Sequence, residues 1–329
     1  MIVSNDSIIY MTPPYQITAE ILKLIAAISE KIGHINAKFL DKPSPKLRKE
    51  NRIKTIHSSL SIEGNTLTEE QITALIEKKR VIGPEKDVNE VLNAIAVYDQ
   101  LKLFDPTSSK SFLKAHEILM KGLISTNGKY RKTGVGIMAG NRIAHLAPPA
   151  DNVPFLMNDL FNYLKKSNEL TLIKSCVFHY EMEFIHPFID GNGRMGRLWQ
   201  TLILMKENSV FEFIPFENSI HKTQKDYYHA LSNSDKSGSS TPFIEYMLHV
   251  INDSLSNLLD FKSRVMTMDD RLSYFSETID SEFNRKDYMR VFKEISSATA
   301  SRDLKYGVDQ GIFEKWGDKS NTTYRIIKK

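Results

Sequence analysis

The stretch "HPFIDGNGRMGRLW" (residues 186–199) joins two apolar segments and concentrates a histidine, a carboxylate, an asparagine and two arginines around three glycines. After it, apolar side chains recur at the spacing of one helix face. These positions are Met195, Leu198, Trp199, Leu202 and Ile203. The preceding segment, residues 171–185, also has a helical pattern. The stretch therefore predicts a turn between two helices, and the turn leads directly into a helix N-terminus.

The turn has the composition of an anion-binding site. Glycines on both sides of Asn192 allow the backbone to approach a ligand closely. Backbone N–H groups and the positive end of the dipole at a helix N-terminus favour an anion. Arg194 and Arg197 lie at the start of that helix, where cations oppose the dipole. A polyanion that bridges the two arginines would offset their unfavourable interaction with the dipole, and the arginine fork suits phosphate oxygens.

His186 and Asp190 add proton transfer and metal binding to this chemistry. Asp190 would repel phosphate unless a cation lay between them, and Mg²⁺ binds one or two carboxylates together with phosphate oxygens and water. His186 has an unperturbed pKa of ~6.5, which suits a proton acceptor. Taken singly, these residues also fit a plain turn, a surface histidine and a solvated arginine face. Their combination favours a site for a triphosphate with Mg²⁺ beside a base.

Helical periodicity dominates the remaining sequence. Helices are predicted at residues 17–32, 46–63, 85–104, 111–123, 153–166 and 242–259, and after the capping-box spacing of Thr68 and Gln71. The polar segment 232–240 predicts a loop. Residues 127–149 differ, because their glycines and paired prolines predict a hairpin or flap. From about residue 270, helical stretches followed by glycine-punctuated strands have helix-turn-helix character.

The composition is that of a globular protein, with 41% hydrophobic and 26% charged residues among 329. The net charge of +4 permits binding to phosphates or nucleic acid without demanding it. Cys176 is the single cysteine, which excludes an intrachain disulfide and a cysteine-based zinc cage, and its apolar neighbours predict burial. The sequence has no long apolar run and no signal-peptide pattern, so a cytoplasmic location without a membrane span is predicted.

"HPFIDGNGRMGR" (residues 186–197) resembles the signature of the Fic family, HxFx(D/E)GNGRxxR, at every defined position. Members of this family are helical and mostly transfer AMP from ATP to a hydroxyl side chain of a target protein. The resemblance implies that His186 deprotonates the target hydroxyl, that Phe188 anchors the loop in the core and that Asp190 holds Mg²⁺. The other signature residues would bind phosphates: Gly191, Asn192 and Gly193 as an anion hole, Arg194 at the β and γ phosphates, and Arg197 at the γ phosphate.

A second motif, Ser59-x-x-x-Glu63-Gly64, lies at the predicted end of a helix. A glutamate there opposes the helix dipole, and from the residues alone it could simply be exposed. The segment resembles the inhibitory motif, (S/T)xxxE(G/N), of Fic proteins that carry it before the catalytic core. The resemblance implies that Glu63 pairs with Arg197 and withholds this arginine from the γ phosphate. We therefore expect the enzyme to be autoinhibited.

Two further segments resemble parts of Fic proteins that bind the target and the adenine. The predicted hairpin, from Ile137 to His145 with Tyr130-Arg131 at its approach, would dock the target by strand addition. From the residues alone, the hairpin could be an ordinary surface hairpin, and residues 129–132 could be a solvated basic run. The segment "KDYYHAL" (residues 225–231) resembles the lining of the adenine pocket, where Tyr227 or Tyr228 would contact the base. Periodicity alone indicates that one of the two tyrosines belongs to the core.

The C-terminal segment resembles winged-helix modules, with residues 301–305 on the recognition helix and Tyr324-Arg325 near the wing. The predicted fold is thus all-α, a mainly helical Fic fold with a small β-hairpin flap, followed by a C-terminal winged helix-turn-helix. The expected divisions are an N-terminal helical region (1–105), a catalytic core (106–260) and the module (265–329). Residues 281–329 contain 11 Lys and Arg against 7 Asp and Glu, a weak basic footprint for a DNA-binding unit.

Two functions are compatible with these features. The first is a protein adenylyltransferase that uses ATP and Mg²⁺, modifies Ser, Thr or Tyr side chains, including its own, and is restrained by Glu63. The second is a DNA-binding transcriptional regulator whose Fic core senses a nucleotide. The presence of His186 and Asp190 favours the enzyme, because a sensor needs neither. Other Fic-like proteins move different phosphate-containing groups, and family members often self-associate, so a homodimer is also an expectation.

Overall fold

A computed structural model describes residues 13–38, 45–139, 142–263, 267–279, 282–292, 295–318 and 321–327. These residues divide into two compact units. The larger unit contains the described residues up to Leu258, apart from positions 45–50. The smaller unit contains positions 45–50 and the described residues from Leu259 onward.

Helices account for most of the described residues, as the sequence predicts. The elements up to residue 263 are α1 (Ala19–Lys38), α2 (Pro45–Ile62), α3 (Glu69–Ile76), α4 (Glu85–Asp99), α5 (Ser109–Leu119), β1 (Gly136–Ala139), β2 (Arg142–Leu146), α6 (Val153–Lys166), α7 (Thr171–Ile185), α8 (Asn192–Glu207), α9 (Phe216–Lys222), α10 (Gln224–Ser237) and α11 (Thr241–Ser263). Short 3₁₀ turns lie at Leu101–Leu103, Ala150–Asn152 and Ser209–Phe213. The predicted all-α class is confirmed. The helix predicted at residues 85–104 ends at Asp99 and is followed by the 3₁₀ turn at Leu101–Leu103, whereas α9 and the other two 3₁₀ turns had no predicted counterpart.

Local capping signals place several helix ends where the sequence predicts them. The Gln71 amide N–H donates to Thr68 Oγ1 at 3.3 Å, and the Thr68 amide N–H donates to Gln71 Oε1 at 2.9 Å. This reciprocal pair is the predicted capping box, and it begins α3. After α2, Gly64 has φ 90°, a left-handed conformation that glycine adopts without strain.

The predicted loop at residues 232–240 is wrong, because α10 continues to Ser237. The buried Ser234 hydroxyl accepts the Phe243 amide N–H at 3.1 Å, and Tyr180 OH donates to Asp235 Oδ1 at 3.0 Å. These polar side chains therefore fasten the helix to its neighbours instead of marking a break. The helix stops only at Gly238, which has φ 60°.

An aromatic cluster forms the core beneath the signature loop. Its members are Phe112 on α5, Phe161 on α6, Phe178 on α7, Trp199 on α8 and Phe188 in the loop. Phe112 lies 5.0 Å from Trp199 and 5.3 Å from Phe188 between ring centroids. Because Phe188 is fully buried in this cluster, the loop between α7 and α8 is anchored to the core.

The predicted flap is a two-stranded antiparallel hairpin. β1 pairs with β2, Ile137 stands opposite His145, and the register shifts between Ile137 and Met138. Residues 140 and 141 and the side chains at 137–139 and 142–146 lie outside the described part of the structure. The backbone pairing thus agrees with the sequence, and the docking role stays a prediction.

The smaller unit has its own elements and its own core. It contains α12 (Met268–Thr278), α13 (Arg285–Val291), α14 (Ser297–Asp309), β3 (Phe313–Trp316) and β4 (Thr323–Ile326). β3 and β4 are antiparallel, and Phe283 forms an isolated bridge with Tyr324. Its core is formed by Leu272, Phe275, Phe283, Tyr288, Phe292, Ala300, Leu304 and Phe313. Of the helices in the described ranges, none combines the length and apolar character needed to cross a membrane.

Candidate active site

His186 lies at the point where α7 gives way to the signature loop. It is the C-cap of α7, and its amide N–H donates to the Met182 carbonyl at 3.0 Å. Its backbone is left-handed, with φ 49° and ψ 62°, which is uncommon for a residue other than glycine. Such strained conformations persist where the surroundings enforce them, and they cluster at functional sites.

Asn192 closes the signature loop on itself. Its Oδ1 accepts the Phe188 amide N–H at 2.9 Å, and its Nδ2 donates to the Phe188 carbonyl at 3.0 Å. Gly191, just before it, has φ 87°, and a Cβ there would collide with Met120 Sδ. The side chain of Asn192 is therefore used inside the loop, and an anion hole at residues 191–193 would depend on the backbone N–H groups.

His116, a residue that sequence reasoning missed, supports the loop from α5. Its ring stacks on Phe188 with centroids 3.5 Å apart and planes 5° apart. The Gly128 amide N–H donates to His116 Nδ1 at 2.9 Å, so the ring proton is on Nε2, which donates to the Asp190 carbonyl at 3.0 Å. Burial lowers the pKa of His116 to about 4, and the ring stays neutral at physiological pH.

Arg131 fastens the start of the flap segment to the signature loop. Its Nε donates to the His186 carbonyl at 2.8 Å, its Nη2 to the Pro148 carbonyl at 2.5 Å, and its amide N–H to the Pro187 carbonyl at 2.9 Å. Arg131 is buried, whereas Lys129 and Lys132 are exposed. The interpretation of residues 129–132 as a solvated basic run is therefore wrong for Arg131 and holds for the two lysines.

Arg197 is fully buried and makes its polar contacts with α2 and the residue after it. Its Nε donates to Ser59 Oγ at 3.1 Å, and its Nη2 donates to the Ser59 carbonyl and to Glu63 Oε1, each at 2.8 Å. Nη1 has no hydrogen-bond partner among the described residues. Burial alone would lower the pKa of Arg197, but the charge of Glu63 helps to raise it overall, so the guanidinium stays charged.

Glu63 places its carboxylate at the N-terminus of α8. A Cβ on Gly193 would collide with Glu63 Oε1 and would lie 3.0 Å from Arg197 Nη1. The absence of a side chain at Gly193 is thus what lets the carboxylate approach. A helix N-terminus favours an anion, so Glu63 lies where the sequence predicts a phosphate.

Arg194 contacts two carboxylates. Its Nη2 donates to Asp190 Oδ1 at 3.0 Å, and its Nη1 donates to Glu90 Oε1 at 3.1 Å. Glu90, on α4, was not predicted to belong to the site. Asp190 Oδ1 also accepts the Gly191 amide N–H at 2.6 Å, and the Asp190 side chain is 49% exposed.

The fit of Mg²⁺ depends on Asp190. Among the described residues, no three His, Cys, Asp or Glu side chains are grouped so that they could hold a metal ion. A half-exposed single carboxylate suits Mg²⁺ only when phosphate oxygens and water complete the coordination. The donor set therefore fits a metal that arrives with a nucleotide.

The two tyrosines predicted near the adenine have different environments. Tyr227 is buried, and its OH donates to His179 Nε2 at 3.1 Å, because His179 Nδ1 donates to Gln200 Oε1 at 2.6 Å. Burial lowers the pKa of His179 to about 3, which keeps its ring neutral. Tyr228 is 48% exposed. Of the pair, Tyr228 is accessible to a nucleobase, whereas Tyr227 belongs to a buried polar chain.

Comparisons with known proteins agree with this geometry. A family model described as Fic/DOC matches residues 106–204. A crystal structure of a Fic family protein from Desulfovibrio desulfuricans G20 is 41% identical, with a TM-score of 0.74, over 97% of this chain and 99% of that one. Fic-1 from Caenorhabditis elegans, at 22% identity and a TM-score of 0.62, shares the fold over 74% of this chain and 73% of that one.

Curated relatives are named protein adenylyltransferases. The protein adenylyltransferase Fic of Nematostella vectensis is 28% identical over 242 residues, which is 70% of this chain and 54% of that protein. The protein adenylyltransferase fic-1 of C. elegans is 29% identical over 58% of this chain and 38% of that protein. The chain thus spans about half or less of these two proteins. With the signature, the fold and the near-complete match to the Desulfovibrio structure, the chain belongs to the Fic family.

Proposed function

We propose that this chain is a protein adenylyltransferase, which transfers AMP from ATP to a Ser, Thr or Tyr hydroxyl of a target protein and of itself. The observation that carries the proposal is at the N-terminus of α8, where the Glu63 carboxylate pairs with Arg197 and lies against Gly193. Arg194 lies in the first turn of the same helix, and His186 caps the preceding helix. An anion-binding helix end with two arginines suits a triphosphate. The names of the curated relatives support the same activity.

In the proposed reaction, His186 takes the proton from the target hydroxyl. The hydroxyl oxygen attacks the α-phosphorus of ATP, a new P–O bond forms, and the bond between the α-phosphorus and the bridging oxygen breaks to release pyrophosphate. Arg194 and Arg197 would bind the β and γ phosphates, and the N–H groups at the start of α8 would stabilise the charge that develops. Mg²⁺, when bound by Asp190 together with the nucleotide, would neutralise phosphate charge.

The same geometry supports autoinhibition by Glu63. Its carboxylate binds Arg197 and lies against Gly193. A γ phosphate at Arg197 would meet a like charge at close range, which is unfavourable. Glu63 is 32% exposed and follows the last helical residue of α2, so its removal leaves Arg197 in contact with Ser59 and available to the nucleotide.

Intact mass spectrometry tests both the reaction and the restraint. Wild type, Glu63→Gly, Glu63→Gln and Glu63→Gly/His186→Ala would each be incubated with Mg²⁺ and ATP. We expect an added AMP on Glu63→Gly, a smaller gain on the isosteric Glu63→Gln, and none on the double variant. Retained ATP binding without AMP transfer by Glu63→Gly would refute the proposed activity, and equal labelling of wild type would refute the restraint.

The hairpin is our proposed docking site for the target segment. It has two strands, β1 and β2, so each has one edge that the other does not pair. An extended peptide could add to one of these edges through main-chain hydrogen bonds, which place little demand on its sequence. The antiparallel pairing of Ile137 with His145 supports docking along this hairpin.

For the smaller unit, we propose a winged-helix assignment. The order of three helices and a hairpin, with Phe283 bridged to Tyr324, supports it. Arg302 and Lys305 are exposed on α14, and Arg325 is exposed on β4, so these cations favour the alternative of a DNA-binding regulator. Binding of the full chain to duplex DNA, weakened by salt and by Arg302→Ala/Lys305→Ala, would support that alternative. A cytoplasmic location and a homodimer remain predictions.

A further inference from the structure

Glu90 is a buried carboxylate that contacts the signature through Arg194. Its Oε1 accepts Arg194 Nη1 at 3.1 Å, and its Oε2 accepts Asn65 Nδ2 at 2.8 Å. Lys86 Nζ lies 3.9 Å from Oε1. A buried carboxylate is costly unless it is paired and hydrogen-bonded, and both oxygens of Glu90 meet this requirement.

Glu90 and Glu63 hold the two signature arginines in different ways. The Glu63 side chain is 32% exposed and follows a helix end, so it can move away. The Glu90 side chain is 7% exposed and lies inside α4. Asn65, which holds Glu90, also donates to the Asp87 carbonyl at 3.1 Å. Glu90 is therefore held in place, whereas Glu63 can be displaced from Arg197.

Arg194 keeps donors for a ligand despite its two carboxylate contacts. A guanidinium has five N–H donors in a rigid plane, and the bonds to Glu90 and Asp190 use one from each terminal nitrogen. Its Nε has no hydrogen-bond partner among the described residues. Because the fork is planar, fixing one terminal nitrogen on Glu90 also fixes the direction of the remaining N–H groups.

We propose that Glu90 is a positioning residue that orients Arg194 toward the β and γ phosphates of ATP, and is not a second inhibitory carboxylate. This inference rests on the proposed function, since that function assigns phosphate binding to Arg194. Asn65 comes directly after the inhibitory motif and holds Glu90. One short segment thus supplies the displaceable carboxylate on Arg197 and supports the fixed one on Arg194.

Nucleotide affinity in the Glu63→Gly background tests the proposal. Glu90→Gln and Glu90→Asp would be compared with Glu85→Gln, a control at an exposed glutamate on the same helix. Affinities for ATP and for AMP would be measured by calorimetry, with thermal unfolding as a check on folding. We expect Glu90→Gln to weaken ATP binding about tenfold, as for one weakened charge-assisted hydrogen bond. AMP binding should not change, because AMP lacks the β and γ phosphates, and Glu90→Asp should recover part of the loss.

Any other result of the affinity comparison overturns the inference. Unchanged ATP binding by Glu90→Gln would mean that Glu90 does not orient Arg194. Tighter ATP binding would mean that Glu90 restrains Arg194. Equal losses for ATP and AMP would mean that Glu90 only supports packing. If Glu63→Gly binds ATP but transfers no AMP, the proposed activity fails while the affinity comparison still decides the role of Glu90. If Glu63→Gly does not bind ATP, both proposals fail.

Discussion

Arg197 Nη2 lies 2.8 Å from Glu63 Oε1, and the same nitrogen donates to the Ser59 carbonyl at 2.8 Å. Ser59 and Glu63 are four residues apart, so one turn at the end of α2 supplies both acceptors. The Ser59 hydroxyl accepts a third hydrogen bond, from Arg197 Nε at 3.1 Å. The serine and glutamate of the inhibitory motif thus act on the same guanidinium, and the spacing of the motif follows from one helical turn.

Replacement of Ser59 by alanine should release the restraint in part. Ser59→Ala removes the acceptor for Arg197 Nε, which costs about 1 kcal/mol of the interaction that holds Arg197. The hydrogen bond from Arg197 to Glu63 remains. We expect the rate of self-adenylylation, followed by intact mass, to lie a few-fold above wild type and well below Glu63→Gly. Ser61→Ala, in the same helix, is the matched control. A Ser59→Ala rate indistinguishable from wild type would show that this hydroxyl has no part in inhibition.

Tyr228 and Tyr227 should affect nucleotide binding differently. In the Glu63→Gly background, Tyr228→Ala would lose stacking on the adenine, worth about 1–3 kcal/mol for a base on an aromatic ring. We expect ATP and AMP affinities to fall together in calorimetry, because both nucleotides carry the base. Tyr227→Phe, which removes a buried hydroxyl from His179, should lower stability and leave affinity nearly unchanged. If Tyr227→Phe weakened nucleotide binding and Tyr228→Ala did not, the adenine would not bind at Tyr228.

The stability of the signature loop should depend on pH through His116. Its folded pKa is about 4 and its ordinary value is 6.5. Above pH 6.5 both states are neutral; as the pH falls toward 4 the unfolded chain takes up the proton first, so stability is lost in that window. The free energy of unfolding that His116 loses in this way is on the order of 3 kcal/mol.

Comparison with His116→Phe isolates this contribution. The phenyl ring keeps the stack on Phe188 and loses the hydrogen bonds to Gly128 and Asp190. In urea unfolding, wild type should be more stable by about 2 kcal/mol near pH 7.5. This difference in the free energy of unfolding should shrink toward pH 4.5, because only wild type loses stability as His116 of the unfolded chain becomes protonated. A difference that does not vary with pH would contradict a neutral, buried His116.

Glu217 should produce the opposite pH dependence. Burial raises the pKa of Glu217 to about 7 from an ordinary value of 4.5, and its Oε2 has no hydrogen-bond partner among the described residues. Below pH 4.5 both states are protonated; as the pH rises toward 7 the unfolded chain releases its proton first, so stability is lost in that window. Glu217→Gln removes this loss. Its thermal stability relative to wild type should rise between pH 5 and pH 8, by an amount on the order of 3 kcal/mol. A constant difference would argue against a protonated Glu217.

The sequence by itself determined the features that local chemistry controls. Helical periodicity set α6 and α7, and the Thr68–Gln71 capping box set the start of α3, because hydrogen bonds within a few residues decide these ends. The signature identified the family because its glycines, arginines and histidine are contiguous. The inhibitory motif could be paired with Arg197 only through the family resemblance.

Tertiary structure alone decided which distant side chains complete the site. Glu90 is 104 residues from Arg194, His116 is 74 residues from Asp190, and Arg131 is 55 residues from His186. Glu90 and His116 belong to ordinary helical segments and Arg131 to a basic one, so no local pattern predicts their contacts with the signature. Tyr227 and Tyr228 are adjacent, yet only packing determines which one is buried. Such contacts depend on how helices pack, and periodicity specifies the buried face of a helix without specifying its partner.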